Sequence, residues 1–379
     1  MDFKTAIQNH KNAAALRRET KNTIKRLDEN IYLMDYRNDY FIDELLETGV
    51  SSIGDLVAFA VKKFNVDFTV GSQQGSGCTS FEAHNPDGDH MLCRNFDFKA
   101  APCFVVWTHP KGHYESIGVV DNNFMLYGQK HLKYKKGSSK ALLAPYCCVD
   151  GMNECGLSIA VLQIRAAATK QTDKSKKNIT TTAMIRGVLD TCKDVDEAVE
   201  FISSYNMIDS LFTNYHYQIC DSTGRSVVVE YINNELKVYE RNSGKYPEKG
   251  SVYEDDGLDY QYVCNYTITK EIGDFKAEQH GEDRTDAVKK VMNEKKCILT
   301  ETEAMDLLSY VRLDYDHPKY PWFIIALWSA VYNNNRGTLT LAAGTDYSRV
   351  YTFDVKKPLE ILKKESIDTV YPKGNWQYL

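Results

Sequence analysis

Apolar positions in the first 70 residues recur at helical spacing. Ala13–Leu16, Ile24, Leu27 and Ile31 predict one helical stretch. Ile53, Leu56, Val57, Phe59, Ala60 and Val61 predict a second helix over 52–64, opened by a serine-rich start. Residues 1–77 therefore read as a helical segment, closed by Gly71-Ser-Gln-Gln-Gly-Ser-Gly77, the clearest linker in the chain.

After Gly77 the period changes from helical to alternating. Runs 78–83 and 90–96 flank Asn85-Pro-Asp-Gly88, a hairpin turn. Strand-like runs follow at 104–108, 116–120, 157–163, 216–220, 226–231, 235–239, 260–265, 326–332, 338–341 and 350–353. Helical patterns at 181–192 and 195–205 form one pair, and those at 284–293 and 301–311 another. The last is opened by a capping box of Thr300 and Glu303. Strands and helix pairs in this order predict an α+β sandwich, antiparallel sheets covered by helical layers.

Composition narrows the possible functions. Hydrophobic residues at 43% and charged residues at 26% describe an ordinary globular chain. A net charge of −6 argues against nucleic acid as a partner. The lysine-rich runs 133–140 and 170–177 are broken by polar and turn-forming residues and read as solvated loops. No stretch is long and apolar enough for a signal peptide or a membrane span, so a cytoplasmic location is expected. The ten cysteines form no zinc-type pairs, so neither a metal nor another cofactor is expected, and most thiols should be reduced core residues.

Cys78 stands apart by its company. It follows the linker and begins the hairpin whose return strand carries Arg94 and Asp97. A guanidinium close by favours the thiolate, the nucleophilic form of cysteine. A carboxylate close by can orient an amine. If the chain were cut between Gly77 and Cys78, the new α-amino group, with an ordinary pKa of about 8, could serve as base for its own thiol. None of the nine histidines sits in a catalytic context, as such a mechanism would allow.

These residues resemble the choloylglycine hydrolase family and its penicillin V acylase and acid ceramidase relatives, which are N-terminal-nucleophile hydrolases. The family opens with Cys-Thr, here Cys78-Thr79, followed by Arg-Asn-x-Asp, here Arg94-Asn95-Phe96-Asp97. A second block stands as Asp150-Gly-Met-Asn-Glu-Cys-Gly-Leu157. A third is the hairpin 221–231 followed by Tyr262-Val-Cys-Asn265, and a fourth is Asp283-Arg284-Thr285. The resemblance spans residues 78 to 354. It implies a four-layer αββα sandwich in which Cys78 is the nucleophile and Arg94 and Asp97 hold its thiol and amine. It also implies that Asn265 donates to an oxyanion, that Arg284 supports the site electrostatically, and that a backbone N–H near Gln163 is a second oxyanion donor. By pattern alone Asn265 would be a strand-end turn residue and Arg284 a solvated helix residue. Bile-salt hydrolases carry asparagine where this chain has Gln163, which weakens a bile-salt assignment.

The long segment before Cys78 resembles the pro-segments of the acid ceramidase branch. Residues 1–77 are then expected to be autocleaved after Gly77 and to stay bound as a heterodimer with the catalytic domain 78–379. The implied activity is hydrolysis of linear amides, small-molecule N-acyl conjugates with an apolar acyl chain, through an acyl-thioester. A bile-salt or penicillin V hydrolase, an acyltransferase, a biosynthetic deacylase and a catalytically inactive binding protein on the same fold are the alternatives. Homo-oligomerisation is left open.

Overall fold

The computed structural model describes residues 3–66, 77–125, 134–164, 166–209, 214–241, 253, 260–270, 281–314 and 324–368, with backbone only for 3–10 and 12. The linker 71–76 and most of the loop 241–258 lie outside them. Among the described residues the strands form two large sheets and a two-stranded parallel ribbon.

The nine-stranded sheet runs Lys25–Arg26, Ile31–Tyr36, Cys103–Thr108, Ser116–Asp121, Cys148–Asn153, Ser158–Ile164, Asn214–Cys220, Ser226–Ile232 and Glu235–Glu240. The seven-stranded sheet runs Tyr262–Val263, Gly77–His84, His90–Lys99, Ile324–Asn333, Thr338–Ala343, Asp346–Asp354 and Lys363–Glu365. Their inner faces meet where Gly77–His84 and His90–Lys99 lie against Ser158–Ile164. Helices Thr181–Thr191 and Val195–Ser203 cover the outer face of the first sheet. Helices Glu282–Lys295 and Glu301–Tyr310 cover that of the second. The result is the α+β sandwich that the strand and helix order predicts, in the αββα layering that the family resemblance implies.

Local chemistry explains why these elements form. Asn85 Oδ1 accepts from the backbone N–H groups of Asp87 and Asp89, and Gly88 takes φ 86°, so the hairpin turn closes tightly. Ser52 caps helix Ile53–Phe64, and the Thr300–Glu303 capping box is present in full.

The first 70 residues depart from the helical expectation. A helix spans Phe3–Thr23, but Ile24, Leu27 and Ile31 do not continue it. Asp28 Oδ1 accepts from the N–H groups of Asn30 and Ile31, a local turn that competes with helix. Strand Ile31–Tyr36 follows, buried at every position and paired in parallel with Cys103–Thr108. A short run buried on both faces carries no alternation, so periodicity does not separate it from helix. Two further expectations are corrected. The predicted strand 260–265 is a ladder of only Tyr262–Val263, and Cys148–Asn153, not foreseen as a strand, is one.

Candidate active site

The hairpin sets the geometry. In its register Gly77 faces Asp97, Cys78 faces Phe96 and Thr79 faces Asn95. Side chains alternate along each strand. Arg94 points between the sheets, where Nη1 lies 2.6 Å from Asp150 Oδ2 and Nη2 donates to the Val161 carbonyl at 3.2 Å. Thr79 and Asp97 point the other way and meet Arg284 from helix Glu282–Lys295.

Arg94 Nη2 lies 3.4 Å from Cys78 Sγ, a diagonal cross-strand contact. The guanidinium rests over the Phe96 ring, centroid 4.9 Å away, and that ring stacks on Trp328 at 4.4 Å. Asp150 fixes the other side of Arg94 and itself accepts from Trp328 Nε1 (2.9 Å) and Tyr332 Oη (2.6 Å). Every member of this network is buried.

Three groups hold the backbone of Cys78. Its N–H donates to Asn265 Oδ1 at 2.7 Å. Its carbonyl oxygen accepts from Arg284 Nη1 at 2.8 Å and from Cys264 Sγ at 2.9 Å. Arg284 also donates to Thr79 Oγ1 (2.9 Å) and Asp97 Oδ2 (3.1 Å) through Nη1, and to Asn265 Oδ1 (2.7 Å) through Nη2. Asn265 Nδ2 in turn donates to the carbonyl of Gln163 at 2.7 Å.

Burial governs the protonation of this cluster. Desolvation pushes the Cys78 thiol up, opposed by the Arg94 charge and reinforced by Asp97. The thiolate expected from a neighbouring guanidinium is therefore not favoured in the intact chain. Removing sulfur from water outweighs one cation that Asp150 already engages. Asp97 is pushed up to about 6 by burial, with Arg284 and Arg94 pulling it down. Cys264 is pushed up to about 12 by burial, so it remains a protonated donor.

The residues singled out from sequence thus converge. Gly77, Cys78, Arg94, Asp97, Gln163, Asn265 and Arg284 fall into one connected network. Pattern alone gives solvated or turn roles to Arg284 and Asn265; both are instead buried. Gln163 is linked through its carbonyl oxygen.

Residues 78–270, just over half of the chain, match the family described as linear amide C-N hydrolases, choloylglycine hydrolase family. The chain belongs to this family. A choloylglycine-family relative, the bile salt hydrolase/transferase of Clostridium perfringens (strain 13 / Type A), is 27% identical over 181 residues. That match takes in 44% of this chain and 52% of the relative, so the chain spans about half the length of the curated relative it matches. A cysteine-to-alanine mutant of the conjugated bile acid hydrolase from Clostridium perfringens superposes with TM-score 0.51 at 17% identity, covering 78% of this chain and 99% of that one. An arginine-to-leucine variant of the same hydrolase gives 0.50 with the same identity and coverage. These likenesses establish the N-terminal-nucleophile hydrolase fold.

Several residues that support this choloylglycine-family site escaped sequence reasoning. Asp150 opens one of the family blocks, yet nothing in its spacing names Arg94 as its partner. Cys264 and Thr79 sit beside flagged residues and share their hydrogen bonds. His216, fully buried, donates through Nε2 to the Cys264 carbonyl at 2.7 Å, while Nδ1 meets Glu230 Oε1 at 3.0 Å. Glu230 also accepts from the N–H groups of Ile268 and Thr269, fixing the chain on both sides of Asn265. The one available signal was alternation, which puts His216 on the face of its strand that meets Tyr262–Asn265. Among the described residues no group of three or more His, Cys, Asp or Glu is placed to hold a metal ion. No described helix is long and apolar enough to cross a membrane.

Proposed function

We propose that this protein is an autoprocessed cysteine amidase that cuts its own Gly77–Cys78 bond and then hydrolyses linear amides of N-acyl conjugates. One observation carries the reading: separate side chains attend each atom group of a single residue. Arg94 meets the sulfur of Cys78, Asn265 its nitrogen, Arg284 and Cys264 its carbonyl, and Asp97 lies opposite the preceding glycine. A structural cysteine in a strand requires none of this.

In maturation, Cys78 Sγ attacks the Gly77 carbonyl carbon, the C–N bond breaks, and the thiol proton passes to the departing nitrogen. Water then splits the thioester, leaving a Gly77 carboxylate and a free Cys78 amine. In turnover that amine takes the thiol proton as Sγ attacks the substrate carbonyl and returns it to the leaving amine. Water releases the acid. Asn265 Nδ2, with a backbone N–H near Gln163, stabilises the oxyanion in both stages. Asp97 and Arg284 hold the amine and the Cys78 carbonyl. The segment before the break stays bound, and all ten cysteines being free agrees with a reducing, cytoplasmic setting.

Intact-mass analysis of the wild-type chain beside Cys78→Ala tests the scheme, together with release of amino acid from N-acyl amino acids. Two wild-type fragments, the larger beginning at Cys78, and one uncut variant are expected. A single uncut wild-type chain that still hydrolyses amides removes the maturation step and leaves the amidase. An uncut chain without activity removes both. The bile salt hydrolase/transferase relative favours a second reading, in which an added amine replaces water. Acyl transfer to that amine at the expense of free acid would establish it.

A further inference from the structure

Asn265 lies beyond the end of its own strand. The ladder of Tyr262–Val263 with Gly77–His84 stops two residues before it. Side chains of the other sheet take over from there. His216 and Glu230 stand directly opposite each other on adjacent strands of that sheet, and both are fully buried. His216 Nε2 donates at 2.7 Å to the Cys264 carbonyl, which belongs to the peptide group joining Cys264 to Asn265. Glu230 Oε1 accepts from Ile268 N–H at 2.6 Å, and its Oε2 accepts from Thr269 N–H at 3.2 Å and Thr269 Oγ1 at 3.0 Å.

Counting donors and acceptors fixes the protons of this pair. A carbonyl oxygen only accepts, so His216 Nε2 carries a hydrogen. An ionised carboxylate offers about four lone-pair sites. Ile268 and Thr269 fill three of those on Glu230, and His216 Nδ1, 3.0 Å from Oε1, meets the fourth. A donor at every site is what the ionised form requires, so Nδ1 carries a hydrogen as well. The ring is an imidazolium facing a carboxylate, and neither buried charge stands alone. With both nitrogens donating, the ring keeps no lone pair with which to take a proton from a thiol or from water.

We infer that His216 and Glu230 form one positioning unit for the oxyanion donor, holding the backbone on both sides of Asn265 and so aiming its amide. Neither residue touches the reacting atoms. The inference rests on the amidase reading, in which Asn265 Nδ2 stabilises the oxyanion. Cys264 extends the unit to the nucleophile: its carbonyl is held by His216, and its thiol donates to the Cys78 carbonyl at 2.9 Å. A misplacement of about 1 Å in an active site costs about 10²-fold in rate, so loss of either member should appear in kcat.

The proton count is read by nitrogen–proton correlation NMR of the His216 ring in an uncut Cys78→Ala chain at neutral pH, assigned through bonds to its own backbone. Two protonated ring nitrogens are expected, and one bare nitrogen overturns the pair. This spectrum needs no change at either residue, so it decides even if variants there do not fold. The role is read from His216→Gln, Glu230→Gln and the double variant. Each is followed for self-cleavage by mass and, once cut, for glycine release from N-octanoyl-glycine. Each single change is expected to lower the cleavage rate and kcat by about 10²-fold and to leave KM little changed. The double variant should lose no more than the worse single, because the two act as a unit. Tyr40→Phe, which loosens the fold at a distance, should leave both rates near wild type. Single variants that cut and turn over at the wild-type rate, or a double variant whose loss is the product of the two, overturn the positioning unit while the amidase stands. A wild-type chain that neither cuts itself nor releases glycine overturns the amidase reading and this role with it.

Discussion

Arg94 Nη1 sits 2.6 Å from Asp150 Oδ2 between the two sheets, with neither side chain exposed. The pair joins the hairpin of Cys78 to the opposite sheet. Removing one partner of a buried ion pair strands the other charge at a cost of about 3–5 kcal/mol. Asp150→Ala is expected to lower stability by about that much in a urea titration. Asp150→Asn, which keeps an acceptor for Trp328 or Tyr332, should lose less. A loss within about 0.5 kcal/mol for Asp150→Ala, the range usual for surface changes, would contradict the pair's structural role.

Arg284 uses the breadth of its guanidinium. Four acceptors on three other elements lie within 3.1 Å of its two terminal nitrogens. Lysine offers a point charge that does not reproduce this fork. Arg284→Lys is expected to slow self-cleavage by about 10²–10³-fold, the range seen when one preorganised donor is lost from an oxyanion site. The rate of fragment appearance by mass decides this. Cleavage within a factor of three of wild type would assign Arg284 to packing alone.

Asp97 gives stability a pH signature. Its carboxyl is raised to about 6 from an ordinary value of 3.8. Between these values the folded chain binds more protons than the unfolded one, so stability is full below about pH 4 and falls as pH rises through about 6. The contribution lost is about 3 kcal/mol, at about 1.4 kcal/mol per pH unit. In an uncut Cys78→Ala background, urea titrations from pH 4 to 7 should show this downward contribution and Asp97→Asn should lack it. Identical slopes in the two proteins would show that Asp97 is not the titrating group.

The segment before the proposed cut is anchored by tyrosines. Tyr40 Oη donates to Asp190 Oδ2 at 2.9 Å, where Arg186 also binds that carboxylate. Tyr36 Oη donates to the Leu142 carbonyl at 2.8 Å. Both rings are buried. After cleavage the two fragments are expected to co-elute on size exclusion. Tyr40→Phe should cost about 1–3 kcal/mol by leaving a lone pair of Asp190 unfilled. Release of the small fragment from wild type in native buffer would refute the anchoring.

The hairpin was legible because alternation and Asn85-Pro-Asp-Gly88 are both local signals. The helix pairs were legible from apolar spacing and, at Thr300, from a cap. The strand Ile31–Tyr36 was hidden because it pairs in parallel with a distant segment and is buried on both faces. Within the site, Cys78, Arg94 and Asp97 share one hairpin, so their proximity follows from sequence. Arg284 and Asn265 join them only through tertiary packing. A charged residue on a helix carries no local sign that it will be buried, which is why resemblance to a family found them and periodicity did not.

The strand Ile31–Tyr36 lies upstream of the bond that the proposed reaction breaks, yet it is the second strand of a sheet built otherwise, apart from its short edge strand, from residues after that bond. Scission would leave one hydrogen-bond ladder shared by two molecules, a complementation pair in place of a single chain. Unfolding then becomes bimolecular, and its midpoint should climb with protein concentration in the cut form and stay constant in the uncut one.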